Sequence, residues 1–559
     1  MSVSPLHENL VHRVNVGDTL TRTADRVPGK VAVVDGDRRI TYRELDDWTN
    51  ALAHALLERG YTAGDSLGLA SGNSAEFLAV YYACAKAGVV CVPLNLGWRA
   101  EEAGYVLTHA GVRGIVLEAQ LAGWIVEALT GCAAVADVVV APGTGARTPQ
   151  TLAGRMTTTL AAFASTDTSP VEVVVGDRAP MTFLYTSGTT SAPKGVVGNH
   201  LAIYVESLTM ALEARWTDED RFVAMMPMFH TAQLNCFCTP AVVLGATLHV
   251  HRGFDGDRLL DTVERERITQ VFGLPMMFRT LLERPDITTR DLSSLRRACY
   301  AMAPMPEAQL RRAIEVFGCE FFLLFGQTEM SPTTTLFRPE HQLTHAGAVG
   351  TPTVGVRVAL MGADGEIVAP GEEGEIVYRS PQALTEYLHD EAASVAAFAG
   401  GWFHSGDIGR FDDDGILWFA DRSKDVIKTG GENVASIEIE RALYAAEPRI
   451  AEVVAVGLPH ERWTEAITAV VVARPGETID PDELLTAVRG HLDGYKVPKA
   501  VVVIDDLPRT STGKVQKNVL RQQLQDHYTQ DHYTQDHYTQ DHYTQDHDTQ
   551  DRDGSGARA

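Results

Sequence analysis

Cysteine is scarce in this chain, seven among 559 residues. Cys84, Cys91, Cys132, Cys236, Cys238, Cys299 and Cys319 show no metal-ligand spacing. An odd, scattered set excludes a disulfide framework and fits a reducing compartment. Cys236 and Cys238 stand in an apolar stretch and read as core. Long apolar runs are missing too. The most apolar window, about residues 77–94, is broken by Lys86, Gly88 and Pro93, so it reads as a buried helix followed by a strand rather than a membrane span. Residues 1–25 carry His7, Glu8, His12 and Arg13 but no signal-type apolar segment, which makes a cytoplasmic location the expectation. Positive charge is also short. A formal charge of −25 offers no basic face to a phosphate backbone and argues against nucleic acid as a partner. An anionic substrate would need a local cationic site against that field. Residues 422–521 are close to neutral, with Lys424, Lys428, Lys496, Lys499, Lys514 and Lys517, so nearly all the excess negative charge lies elsewhere. Contact with a membrane can only be peripheral, and a homodimer stays open.

What is present is a large apolar fraction, 45%, enough for properly buried cores in about three or four domain-sized units. From Val31 to Leu360 short β-branched runs alternate with helical patterns. The runs include 31–34, 66–70, 114–117, 222–225 and 247–250; the helices include 41–58 and 74–88. This is the α/β signature with mostly parallel strands. Between about Gly350 and Ala420 the strands shorten and are separated by Gly/Asp turns, which predicts a small distorted antiparallel barrel. Past Asp421, helix patterns at 436–446 and 481–492 interleave with strands at 450–456, 467–472 and 499–503, a compact α+β domain. The expected division is 1–420, 421–524, and a tail at 525–559. In the tail Gln-Asp-His-Tyr-Thr repeats from Gln525. Its histidines invite a metal reading, but a period of five matches neither a helix nor a strand. Without aliphatic side chains it cannot build a core, and a disordered tail is expected.

The most informative segment is Tyr185-Thr186-Ser187-Gly188-Thr189-Thr190-Ser191-Ala192-Pro193-Lys194-Gly195, between a strand-like run (181–184) and a helix-like one (199–214). A glycine, many hydroxyls and a terminal lysine can wrap N–H groups and a cation around phosphates. The same residues also make an ordinary solvated loop, and the spacing is not that of a P-loop NTPase. Further on, Phe325-Gly326-Gln327-Thr328-Glu329 follows an apolar strand. It offers a ring for a base, a hydroxyl for a phosphate and a carboxylate for Mg²⁺, which favours one or two carboxylates plus substrate phosphates. Trp402-Phe403-His404-Ser405-Gly406-Asp407 sets an acid where it could grip a ribose diol. Asp421-Arg422-Ser423-Lys424-Asp425, then Ile427-Lys428-Thr429-Gly430-Gly431-Glu432-Asn433, and last Pro508-Arg509-Thr510-Ser511-Thr512-Gly513-Lys514 follow. Each alone could be a turn.

In this order and spacing the motifs resemble the adenylate-forming superfamily of acyl-CoA synthetases, peptide-synthetase adenylation domains and beetle luciferase, from about Leu20 to Arg521. The resemblance implies a large N-terminal domain of two α/β subdomains plus the small distorted β-barrel, followed by a small mobile α+β domain. It implies ATP, Mg²⁺ and coenzyme A as small-molecule partners beside a carboxylic acid. Thr186, Ser187, Gly188, Thr189, Thr190 and Lys194 would cradle the β- and γ-phosphates. Tyr300, Ala301, Ala303, Pro304 and Phe325, with Gly326 and Gln327 behind it, would frame the adenine. Thr328 would meet the α-phosphate, and Glu329, with Thr186, the Mg²⁺. Asp407 and Arg422 would hold the ribose, and Lys514 would bridge the substrate carboxylate and the α-phosphate. His230 joins Thr186, Lys194, Glu329 and Lys514 as a catalytic candidate. Lys424 would be the pivot of a domain rotation, and Gly431 would leave room for the pantetheine arm.

Segments 227–234, 273–278 and 325–332 look most like medium- and long-chain fatty-acid–CoA ligases. They predict an apolar acyl tunnel without a fixed charge. Leu234 stands where some long-chain enzymes place a gating tryptophan. Ala301-Met302-Ala303-Pro304 replaces the usual Gly-Gly-Ala-Pro. Alternatives are a fatty-acyl-AMP ligase serving a carrier protein, a CoA ligase for another acid, and a nucleotide-binding regulator without turnover.

Overall fold

The computed structural model describes residues 4–186, 193–303, 305–510 and 514–528. The chain divides into two compact units: Met1–Lys424 with Pro508–Gln516, and Asp425–Leu507 with Lys517 onward. The sequence places the junction at Asp421 and assigns 508–516 to the second unit; the division found lies after Lys424 and gives that segment to the first.

Helix ends in the first unit are written locally. Thr41 opens the helix Tyr42–Glu58 with a capping box to Glu44, satisfying two otherwise orphaned donors. Ser74 accepts from Phe77 N at 3.0 Å to start Ala75–Ala87, and Gly88 at φ 71° ends it in the left-handed region that favours glycine. That helix is buried on every side, so it is apolar all round, as a central helix must be. Its one cation, Lys86, lies 2.6 Å from Asp46 of the preceding helix. The strand Val90–Pro93 follows, so the apolar window is a buried helix and strand. Among the described residues no helix is long and apolar enough to cross a membrane.

Two sheets carry the unit. A nine-stranded sheet runs Thr351–Pro352, Thr333–Phe337, Glu320–Gly326, Arg297–Ala301, Gln270–Gly273, Arg221–Ala224, Thr247–Val250, Val31–Asp35 and Arg38–Thr41. Its interior pairings are parallel and its edge pairings antiparallel. An eight-stranded sheet is ordered Lys194–Asn199, Pro180–Thr186, Val90–Pro93, Ser66–Ala70, Val112–Glu118, Asp137–Ala141, Arg155–Thr159 and Thr151–Leu152. Asn73 ties the two: its amide donates to Met226 O at 2.8 Å and His251 O at 3.0 Å and its carbonyl accepts from Met228 N at 2.8 Å. The region expected to form a barrel is a four-stranded antiparallel sheet, Arg357–Met361, Glu373–Arg379, Phe403–Phe411 and Leu417–Arg422 in sequential order.

The second unit packs helices Ser436–Ala446 and Pro481–Val488 against a five-stranded sheet with its own apolar core. Of the tail, residues 525–528 are described, and Tyr528 Oη meets Thr468 Oγ1 at 2.9 Å; the repeats beyond lie outside the described residues.

Candidate active site

The two strands that flank the hydroxyl-rich loop form a hairpin in which Thr186 pairs with Lys194 and Tyr185 with Gly195. The loop's ends are therefore held face to face. Ser187, Gly188, Thr189 and Thr190 lie outside the described residues, as do Pro304 and 511–513.

Parallel strands Arg297–Ala301 and Glu320–Gly326 end side by side, with Ala301 opposite Leu324. In open α/β sheets the crevice at such carboxyl ends is where ligands bind. Tyr300 turns inward: it is 2% exposed and its hydroxyl donates to Gln342 Oε1 at 2.7 Å. Its ring anchors the strand end in the core, turned away from solvent. Phe325 is half-buried, 5.6 Å from the ring of Phe419. Gly326 is required: a Cβ there would meet Pro332 O at 1.9 Å. Gln327 N donates to that same carbonyl at 3.0 Å. This tight return puts Thr328 and Glu329 on a short 3₁₀ turn, Thr328–Met330.

Asp407 and Arg422 are opposite one another on adjacent strands, with Arg422 Nε 3.2 Å from Asp407 Oδ1. Asp407 is 4% exposed, a buried carboxylate with the Arg422 guanidinium as its counter-charge. Burial pushes its pKa up, and the charges of Arg422 and then Lys514 oppose the shift. His230 caps the turn Thr231–Gln233 through Nδ1, which accepts from Ala232 N at 3.2 Å. Burial first, and the charge of Lys514 second, push its pKa down to about 4. The imidazole is therefore neutral near pH 7, with its proton on Nε2. Lys514 sits in a small hairpin in which Thr510 N donates to Lys514 O at 2.8 Å and Lys514 N to Thr510 Oγ1 at 3.1 Å. Lys514 thus acts electrostatically on both His230 and Asp407, and Arg422 on Asp407; all four lie in the first unit.

Lys424 adds a weaker charge to the same field. Gly431 belongs to the second unit, where Gly430 and Gly431 at φ 62° and 91° make the two-residue turn between Ile427–Thr429 and Glu432–Val434. Among the described residues no group of three or more His, Cys, Asp or Glu side chains could hold a metal. A lone carboxylate at Glu329 fits Mg²⁺, which arrives with substrate phosphates as most of its ligands.

Of the residues expected to line an acyl tunnel, Met228, Leu234 and Met330 are fully buried and Leu274 and Phe278 nearly so, while Phe229 and Met277 are half-buried and Met276 is exposed. Leu234–Cys238 forms a π-helical turn, a distortion frequent at functional sites. Two features escape a reading of the sequence. Glu206 is fully buried, accepts from Thr333 N at 3.3 Å and Cys236 Sγ at 3.2 Å as well as from Gln382, and burial pushes it up to about 8. It fixes the strand that follows Glu329. The other is Tyr387, whose hydroxyl donates to Glu329 Oε1 at 3.0 Å; neither has a local motif.

Residues 20–388 match the model of the AMP-binding enzyme family and 438–514 that of the AMP-binding enzyme C-terminal domain. The chain is 34% identical over 513 residues to an indoleacetate–CoA ligase of Aromatoleum aromaticum, covering 91% of this chain and 98% of that one. It is 34% identical over 516 residues to the long-chain-fatty-acid–CoA ligase FadD13 of Mycobacterium tuberculosis, covering 91% and 98%. The crystal structure of ATP-bound MatB from Rhodopseudomonas palustris superposes with a TM-score of 0.83 at 29% identity, covering 92% of this chain and all of that one. The chain belongs to the AMP-binding enzyme family and is an AMP-forming acid–thiol ligase of the adenylate-forming superfamily.

Proposed function

We propose that the protein activates an apolar carboxylic acid, a medium- or long-chain fatty acid, as its acyl adenylate and passes the acyl group to coenzyme A. The observation that carries this reading is the pairing of buried Asp407 with Arg422 across adjacent strands, with Lys514 of the same unit acting on Asp407 and on His230. A carboxylate is a poor nucleophile, and its attack on the α-phosphorus passes through a crowded, strongly anionic transition state. Cations aimed at that charge lower the barrier most. Lys514 is the protein's own such cation. Asp407 and Arg422, ion-paired at 3.2 Å, would take the ribose hydroxyls, and Thr186, Lys194 and the loop between them the β- and γ-phosphates. Glu329 would hold Mg²⁺, which when bound supplies further positive charge to the phosphates. Neutral His230 adds no second cation beside Lys514 and can donate from Nε2. No fixed charge is present among the apolar side chains of 227–234 and 273–278 to read a second polar group, which supports an apolar acid.

An aryl acid is the second reading. It is favoured by the tight packing of Met228, Leu234 and Met330, which suits a short, flat substrate better than a long chain. Carboxylate-dependent exchange of labelled pyrophosphate into ATP tests the adenylation step. Acids from acetate to C20 and a set of aryl acids, compared as kcat/KM with CoA or a phosphopantetheinyl carrier as acceptor, decide acid and acceptor together. A preference for C8–C20 acids with CoA is expected; preference for aryl acids or the carrier would overturn it.

A further inference from the structure

Residues 384–390 belong to no motif singled out in the sequence, yet they touch three parts of the candidate site. The backbone lies along the strand that leaves the phosphate loop. Thr385 N donates to Val197 O at 2.9 Å, Val197 N to Glu386 O at 3.1 Å, and Leu388 N to Gly195 O at 2.8 Å. Leu384 N donates to Glu329 O at 2.7 Å. The fit is close enough that a Cβ on Gly195 would lie 3.1 Å from Leu388 Cβ and 3.2 Å from the Tyr185 ring. His389 packs 5.2 Å from His109, whose Nδ1 is 2.8 Å from Tyr185 Oη, beside Thr186. One strap therefore registers both ends of the loop against Glu329.

Tyr387 is the point where these contacts meet. Lys194 Nζ lies 5.1 Å from its ring centroid and its hydroxyl donates to Glu329 Oε1 at 3.0 Å. A cation and an anion that must both turn to a nucleotide are here given a common neutral partner. The ring face attracts the ammonium, and the hydroxyl occupies one carboxylate oxygen and leaves the other free. Bonded this way, a carboxylate is oriented as ligands of metals are by their outer partners. We propose that Tyr387 is a positioning residue that aims Glu329 at the metal and Lys194 at the phosphates of the bound nucleotide.

The inference rests on the roles given above to Glu329 and Lys194, and binding measurements separate it from them. Full-length wild type, Tyr387→Phe and Tyr387→Leu would be titrated calorimetrically with α,β-methylene-ATP, first without divalent metal and then with Mn²⁺ on the nucleotide complex. Removing the hydroxyl alone should weaken Mn²⁺ about tenfold, the lower bound for loss of an outer partner, and leave metal-free nucleotide affinity within about twofold. Tyr387→Leu should weaken both. Pyrophosphate exchange should follow, with Tyr387→Phe rescued by raised Mg²⁺ and Tyr387→Leu only partly. A purely structural tyrosine would instead lower thermal stability and leave the metal affinity of the folded fraction unchanged, and that result overturns the proposal. So does equal metal-free affinity in the two variants. If Tyr387→Leu does not fold, Tyr387→Phe still decides the hydroxyl's part and Tyr387→Trp, which keeps a ring for Lys194, the other. A wild type that binds no nucleotide sinks the proposed function and this inference together; a wild type that binds, with Tyr387→Phe unchanged, sinks the inference alone.

Discussion

Replacing Lys514 by alanine separates the two half-reactions. Its hairpin is closed by its own backbone, through Thr510 N to Lys514 O at 2.8 Å and the bridge between Arg509 and Val515. Side-chain truncation leaves these backbone bonds in place, and a thermal midpoint measured beside wild type separates a folding defect from a catalytic one. Removing one charged group aimed at developing negative charge costs about 10²–10³ in rate, roughly 2.7–4 kcal/mol. The structure adds two signatures. His230, held at about 4 by burial and then by Lys514, should rise while staying below the usual histidine value, because burial, the larger cause, remains. Asp407, already raised by burial, should rise further on losing one of the cations that opposes it. The assay is pyrophosphate exchange for adenylation, thioester formation from supplied acyl-AMP for the second step, and the imidazole carbon resonance of His230 followed through pH. Exchange should fall by the stated factor and thioester formation by less than about threefold. Equal loss in both steps, or a His230 titration that does not move, would refute the placement of this cation.

Lys86→Met should destabilise the chain by less than the roughly 3–5 kcal/mol of a fully stranded buried charge, because Asp46, 1% exposed in its side chain, keeps Arg43 at 3.5 Å and the Thr21 hydroxyl at 2.8 Å; urea denaturation measures it, and adding Asp46→Leu should restore most of the loss. Asp407→Asn should raise the KM for ATP by roughly tenfold or more, the worth of a hydrogen bond to a charged group, with the KM for the acid unchanged; steady-state kinetics checks both. Acid should destabilise the chain through buried histidines, His200 held down to about 3 and His249 and His251 to about 4. The unfolded chain binds these protons below its ordinary histidine pKa of about 6.5 and the folded one does not, so their contribution is complete above that pH and lost as pH falls towards 4. Denaturant midpoints at pH 7 and 4.5 test this, and equal midpoints would contradict it.

Much of the fold follows from local rules. The helix Ser436–Ala446 and the strands Ser66–Ala70 and Thr247–Val250 are found where periodicity puts them, because each carries its own pattern and end signals. Pairing partners are not local. Val31–Asp35 lies beside Thr247–Val250, more than two hundred positions on, and no property of either strand names the other. Tyr387 and Glu206 escaped for the same reason. A tyrosine between glutamate and leucine, or a glutamate in an apolar helix, is unremarkable until long-range pairing sets it against Glu329 or Thr333. Tyr300 shows the same limit: its place beside Ala301 marked it for a base, but only the fold shows Gln342, 42 residues further on, claiming its hydroxyl.

The junction between the units makes the same point in physical terms. Composition changes near Asp421, since the turn-rich segment ends there and the charge-balanced one begins. Arg422 cannot be cut from what precedes it, because it pairs in register with Asp407 and supplies the largest charge opposing that residue's burial. The first place where the chain is released from this strand lies beyond it, and the division falls after Lys424. Similarly, Pro508–Gln516 is distant in sequence from the first unit but belongs to it, and its Lys514 enters the field that acts on His230 and Asp407. A segment so far along the chain joins the first unit through contacts that no local pattern announces, and the charge that Lys514 brings to the buried acid and the neutral imidazole is one consequence.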